Sequence, residues 1–220
     1  MFEAKEIIHQ NNNWISLVFL AILIFLTLAK VLYKDRLRHT AILFLSKKYL
    51  YIYFNKEKND VLNLFQFLLF LAQLLALSLL LYFANSLWHF SSTLNGLNGY
   101  LLLVGSVALY FCSRYLIGLF LAEIFNINNK YNRLVYDKVS YFNNLILWIL
   151  PFLVLSNYAT FYNDFFFKTT IFVLVIMLII WYGLILVNNK KVIFNNLFYF
   201  MLYLCALEIA PLAIILKLII

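Results

Sequence analysis

Long apolar runs separated by short polar segments dominate this chain of 220 residues. Six runs have roughly the 20 residues that a helix needs to cross a hydrocarbon core of about 30 Å. The pattern therefore predicts an all-α fold, a polytopic transmembrane helical bundle of six spans. The predicted spans are residues 14–33, 62–84, 99–121, 142–158, 168–187 and 197–216, and Pro151 interrupts the fourth.

The composition supports a membrane protein. The chain is 65% hydrophobic and 12% charged, whereas a soluble domain has roughly 45–50% apolar and about 25% charged residues. Gly (5) and Pro (2) are scarce, and no low-complexity linker divides the chain. We therefore expect residues 1–220 to form a single transmembrane domain.

The net charge of +8 is distributed unevenly between the connections. Twelve of the 17 Lys and Arg residues lie in the first, third and fifth connections. The positive-inside rule then places both the N-terminus and the C-terminus of this multi-pass protein outside. Orientation and anionic headgroups account for the charge, so the lipid bilayer is the expected partner and nucleic acid is not.

The longest polar connection is residues 34–60. It contains two short apolar runs, 41–45 and 49–54, separated by Lys47 and Lys48. Aromatic rings beside lysines favour the headgroup region, so we expect a partly helical loop on the cytoplasmic membrane surface. This loop is either an interfacial anchor or a docking surface for a cytoplasmic partner.

Glu208 is the main exception to the apolar pattern, because it lies inside the last predicted span. A carboxylate at bilayer depth costs several kcal/mol unless it is paired, protonated or facing water, and so marks a candidate functional site. Pro211 follows one turn later and leaves the carbonyl of Leu207 without its helical hydrogen bond.

Arg114 is a second charge inside a predicted span. At ~1.5 Å per residue, Arg114 and Glu208 both lie roughly 15 Å deep, near the midplane. Opposite charge and matched depth predict an ion pair, either a structural pair or a site that handles a proton or a ligand. Tyr110 is one turn before Arg114 and is a possible supporting residue.

Two amides form a further polar stripe in the second predicted span. Gln66 and Gln73 are two turns apart on one helical face. Interhelical hydrogen bonding is the favoured interpretation, with a supporting role at the polar centre as the alternative.

Enzyme signatures are weak. His89, Ser91 and Ser92 share a short polar loop, but no third group to orient the histidine is evident. Cys112 and Cys205 lie in apolar runs without the spacing of a metal site. We therefore expect no catalytic residues, no metal and no cofactor, and the sequence favours a protein that is not an enzyme.

The run Tyr203-Leu-Cys-x-Leu-Glu-Ile-x-Pro211, followed by Lys217, resembles the closing signature of a family of uncharacterised integral membrane proteins from Bacteroidota, a domain of unknown function. A basic residue in a mid-chain span, here Arg114, fits the same pattern. The resemblance implies a bacterial inner-membrane location, which puts the two outside termini in the periplasm, and it implies no activity. It suggests that Glu208, Pro211 and Lys217 act as one unit.

Two functions from different classes remain ahead of a third, an intramembrane or interfacial enzyme acting on a lipid through His89, the loop serines and Glu208, which is the least supported. The first is a non-enzymatic membrane component, a scaffold or subunit of an envelope assembly, because the chain is small and has short loops. The alternative is a small proton- or ion-coupled transporter or channel subunit that uses Glu208 as its coupling carboxylate and Arg114 as the counter-charge. Six spans make a narrow pathway, so the alternative predicts a homodimer, whereas the first predicts other membrane proteins as partners.

Overall fold

The computed structural model of the protein describes residues 13–43, 63–88, 96–124, 128–159 and 163–188. These residues contain no strand, and the all-α prediction is confirmed for them. They form six helices: α1 (Asn13–Leu32), α2 (Lys34–Ala41), α3 (Leu64–Trp88), α4 (Gly96–Ile124), α5 (Asn128–Tyr158) and α6 (Asn163–Asn188).

Five of these helices, α1 and α3 to α6, are long and apolar enough to cross a membrane. The first five predicted spans each fall on one of them. The sixth, residues 197–216, lies outside the described residues. The total number of spans, the sides of the termini and the single domain over residues 1–220 stay predictions.

The fourth predicted span, 142–158, is only the second half of a longer helix. α5 begins at Asn128 and has 31 residues, or about 46 Å at ~1.5 Å per residue. Arg133 and Lys138, which were expected in a connection, therefore lie on a helix, because nothing between 128 and 141 interrupts it. Pro151 lies inside α5 at an exposed position.

α5 is the centre of the bundle and contacts α2, α3, α4 and α6. The main core lies between α1, α3 and α5. Its buried side chains are Ile15, Phe19 and Ile22 of α1, Ala72, Ala76 and Leu79 of α3, Tyr100 of α4, and Leu145, Ile146, Ile149 and Leu153 of α5. The two alanines are one turn apart and almost fully buried, which lets helix backbones approach closely.

α4 and α6 lie at the outside of the described bundle. Both expose large apolar side chains along their length: Leu101, Leu109, Leu116 and Phe120 on α4, and Phe172, Val175 and Ile179 on α6. Such faces are suited to lipid tails or to another membrane helix.

Gly118 is a point of close contact between α4 and α5. A Cβ at this position would overlap the hydroxyl oxygen of Tyr131 and come within 2.7 Å of its Cζ. The Tyr131 hydroxyl donates a hydrogen bond to the carbonyl of Tyr115 at 3.2 Å, which fixes the ring. The contact therefore requires glycine, even though alanine is the better helix former.

We predict that Gly118→Ala lowers the free energy of unfolding by about 1–3 kcal/mol, because the new methyl group must displace Tyr131. Gly105→Ala on the same helix is the matched control, since its Cβ would meet no atom within 4 Å. Thermal unfolding in detergent should show a lower Tm for the first variant only. Equal Tm values for the two variants would contradict this packing.

Candidate functional site

A layer of buried amide and hydroxyl groups joins α3 to α5. Gln66 accepts a hydrogen bond at Oε1 from Asn143 Nδ2, at 2.9 Å. The Gln66 amide nitrogen donates to Ser140 Oγ, at 3.5 Å. All three side chains are buried, so these bonds form away from water, where an unpaired polar group costs most.

Asn144 and Trp148 extend this layer to α2. Asn144 Nδ2 donates to the carbonyl of Thr40, and Trp148 Nε1 donates to the carbonyl of Ala41 at 3.2 Å. The last carbonyls of a helix have no partner within the helix, and here α5 supplies the donors. The end of α2 is thus fixed to the centre of the bundle.

The residues of α5 that form these bonds share one side of the helix. Ser140, Asn143, Asn144 and Trp148 follow one another at spacings of three, one and four residues, which aligns them along a single face. Leu43, just after α2, is buried with Tyr136, Tyr141, Trp181 and Ile185 in an apolar cluster of α5 and α6. Polar and apolar contacts therefore attach the segment from Lys34 to Leu43 to α5 and α6.

Two buried charges lie on α2 and α5, helices that contact each other. The Arg36 guanidinium carbon is 4.4 Å from the centroid of the Phe65 ring and 5.8 Å from that of Tyr33, within the range of cation–π attraction. Asp137 is buried on α5, one turn before Ser140. The contacting helices α2 and α5 thus carry buried charges of opposite sign.

Part of the hydrogen-bonding capacity of the layer is unused. The side-chain oxygens of Asn143 and Asn144 are buried and have no partner among the described residues. The same holds for Gln73 Oε1, two turns along α3 from Gln66. Each is an acceptor in a site where a donor would be strongly favoured.

Arg114 is half-buried on α4, where its Nη1 donates to the Tyr110 hydroxyl at 3.4 Å. Phe111 lies between them in sequence. The centroid of its ring is 5.9 Å from that of Phe70 on α3 and 6.0 Å from that of Phe142 on α5. α3 and α4 are consecutive and antiparallel. Arg114, one turn after Phe111 on α4, therefore lies closer than Phe111 to the end of the bundle that contains Gln66. The structure thus links Arg114 to Tyr110 on one helix.

The predicted site residues are distributed as follows. Gln66 belongs to the polar layer, and Gln73 is buried further along α3. Arg114 and Tyr110 lie together on α4. Glu208 and Pro211 lie outside the described residues, so the pairing of Glu208 with Arg114 stays a prediction.

The sequence reasoning missed the α5 half of the layer. Ser140, Asn143 and Asn144 lie at or before the start of the fourth predicted span, where polar residues are unremarkable. Their spacing along one helical face was the available signal. The buried Arg36 was counted only as a loop cation.

Catalytic and metal chemistry receive no support from the described helices. Within them, no group of three or more His, Cys, Asp or Glu side chains could hold a metal ion. Cys112 is a free, exposed thiol. His89, Ser91, Ser92 and Cys205 lie outside the described residues, so the expected absence of catalytic residues, metals and cofactors stays a prediction.

Five helices of sufficient length and apolarity indicate a helical membrane protein. Residues 15–219 match the family described as Domain of unknown function (DUF4271), and the chain belongs to this family. The expected family of unknown function is thereby confirmed. Its link to Bacteroidota and its signature at residues 203–211 stay predictions. No curated protein and no solved structure matches the chain.

We predict that Gln66→Met and Asn143→Leu each cost about 1–3 kcal/mol, because each leaves the other amide buried without its bond. The double variant should cost less than the sum of the two, with a coupling of roughly 0.5–1.5 kcal/mol. Thr27→Ala is the control, since Thr27 of α1 is exposed and, among the described residues, its hydroxyl donates to the Ile24 carbonyl of its own helix. Additive effects in detergent unfolding would show that the amides do not act as a pair.

Proposed function

We propose that this protein is a non-enzymatic component of a bacterial inner membrane, a scaffold or subunit of an envelope assembly, in a member of the Bacteroidota. The observation that carries the proposal is the attachment of α2 to α5 by Asn144 and Trp148. A connection that only joined two membrane spans would have no need of a fixed orientation. The fixed orientation of α2 favours an ordered surface for a partner.

The exposed side of α2 has the chemistry for such a surface. Lys34, Asp35 and Arg38 are exposed, whereas Arg36 and Thr40 are buried against the bundle. The helix thus presents two cations and one carboxylate, a net positive charge, in a constant arrangement on the side predicted to be cytoplasmic. An acidic protein surface is the partner that complements it, and anionic headgroups are the competing partner.

Charge reversal on α2 tests this proposal. Lys34→Glu with Arg38→Glu should reduce co-purification of a stoichiometric partner severalfold after mild detergent extraction, because the exposed cations then repel an acidic surface. Lys168→Glu is the matched control, since Lys168 is exposed at the start of α6, at the opposite end of the bundle. Quantitative mass spectrometry of the purified complexes provides the measurement.

The outcomes separate the two partners. Loss of a defined protein with the α2 variant alone supports the docking surface. Unchanged protein partners together with weaker binding to anionic vesicles would make α2 a lipid anchor. A monodisperse protein that carries no partner under several extraction conditions would contradict the scaffold.

The alternative function is a small proton- or ion-coupled transporter or channel subunit, functioning as a homodimer. The half-buried Arg114 with its Tyr110 partner favours it, because a charge inside a span commonly marks an ion pathway. In this alternative Glu208 is the coupling carboxylate, and Gln66 and Gln73 are further polar groups available to a pathway.

A paired charge test decides between these functions. For the transporter, Glu208→Gln and Arg114→Gln should each abolish flux at normal protein level, and the double variant should not restore it. For a structural pair, either single change should lower the protein level and the double variant should restore it, because no uncompensated charge is then left in the membrane. Protein level and flux are measured on the same membranes.

A further inference from the structure

We propose that the last predicted span, residues 197–216, packs on one flank of α4, with Glu208 beside Arg114. The polar flank of α4 is defined as Ser106, Tyr110, Ser113, Arg114 and Ile117. Their spacing aligns them along one side of the helix. This inference rests on the proposed polar centre and is independent of the scaffold function.

The polar flank differs from the rest of the outer surface of α4. Ser106, Ser113 and Ile117 are exposed among the described residues, and Tyr110 and Arg114 are half-buried. The adjoining face, roughly a quarter of a turn around the helix, carries Leu109, Leu116 and Phe120 and is apolar. Inside a bilayer, α4 would therefore have one side suited to lipid and another suited to protein.

Among the described residues, the two serines bond their hydroxyl groups within α4. Ser106 Oγ donates to the carbonyl of Leu103 at 2.9 Å, and Ser113 Oγ donates to that of Tyr110 at 3.0 Å. Small side chains with such internal bonds leave room for a neighbouring backbone, as at other helix interfaces in membranes. A tyrosine and an arginine on the same flank are costly against lipid. The flank therefore fits another helix better than lipid tails.

The chain itself supplies a predicted span of suitable length and charge. After α6 ends at Asn188, the sequence continues to residue 220 and holds the predicted span 197–216. Glu208 is the one acidic residue in this segment, and it complements Arg114. Ala206 and Ala210 on either side of Glu208 permit close approach to a neighbouring helix. The family match extends to residue 219, so this segment belongs to the shared domain.

Direction and depth agree with this placement. Short connections join α4 to α5 and α5 to α6, so α6 ends at the end of the bundle where α4 ends. A following span runs antiparallel to α4 from that end. At ~1.5 Å per residue, Arg114 lies about 15 Å from the end of α4, and Glu208 about 16 Å from the start of the predicted span.

Disulfide trapping tests the placement with a cysteine that the chain already holds. If Arg114 faces Glu208 in antiparallel helices, Ile117 lies opposite Cys205, one turn from each charge. We expect Ile117→Cys, in a Cys112→Ser background, to form an intramolecular disulfide with Cys205 on mild oxidation in native membranes. This bond requires Cα atoms within about 7 Å.

Leu116→Cys in the same background is the matched control. Leu116 is adjacent in sequence and exposed, but it lies on the apolar side of α4. Mass spectrometry of the monomer fraction should give at least tenfold more disulfide for position 117 than for position 116. Both variants replace an exposed apolar side chain, and an unchanged Tm verifies that each is folded.

Equal linking from both positions, or none from position 117, would overturn the proposal. A disulfide-linked dimer through position 117 would also overturn it, because a second copy would then cover the polar flank. If position 117 forms no disulfide but the purified protein still carries its partner, the scaffold function stands and the helix placement is wrong. If the disulfide forms but no partner co-purifies, the scaffold function is wrong and the helix placement stands.

Discussion

The hydrogen bonds that Gln66, Asn143 and Asn144 make between helices are the constraint on which the rest of the described structure depends. Amides buried in an apolar protein must bond to one another or to backbone, because neither lipid nor an apolar core replaces water as a partner. Gln66 binds Asn143, and Asn144 binds the end of α2. These bonds fix the relative positions of α2, α3 and α5, which dispersion forces between leucines would specify only loosely.

The arrangement of the other helices follows from this centre. α1 packs on α3 through the closely spaced Ala72 and Ala76. α5 is held on several sides, so α4 and α6 occupy the outside and, like α1, expose large apolar side chains along their length. Gly118 then lets α4 approach α5 at Tyr131, so the face of α4 that carries Gly118 is turned toward protein and the face with Leu109, Leu116 and Phe120 is turned outward.

The sequence predicted the long helices well, because a run of about 20 apolar residues has few other stable forms in a membrane. It also singled out Gln66, since an amide inside a span needs a partner. It did not identify that partner, because Asn143 lies where a polar helix start was expected. The burial of Arg36 on Phe65 could not be predicted either, because it depends on how α2 folds back onto the bundle. Tertiary contacts decide both features.

Hydrogen–deuterium exchange of the unmodified protein in nanodiscs tests the central claim most directly, because it reports the opening free energy of each segment. If the polar layer fixes α2, the amides from His39 to Leu43 should exchange about as slowly as those of α3 around Gln66. Exchange of these α2 amides at the rate of an unstructured peptide would contradict the claim, since α2 would then be detached from α5.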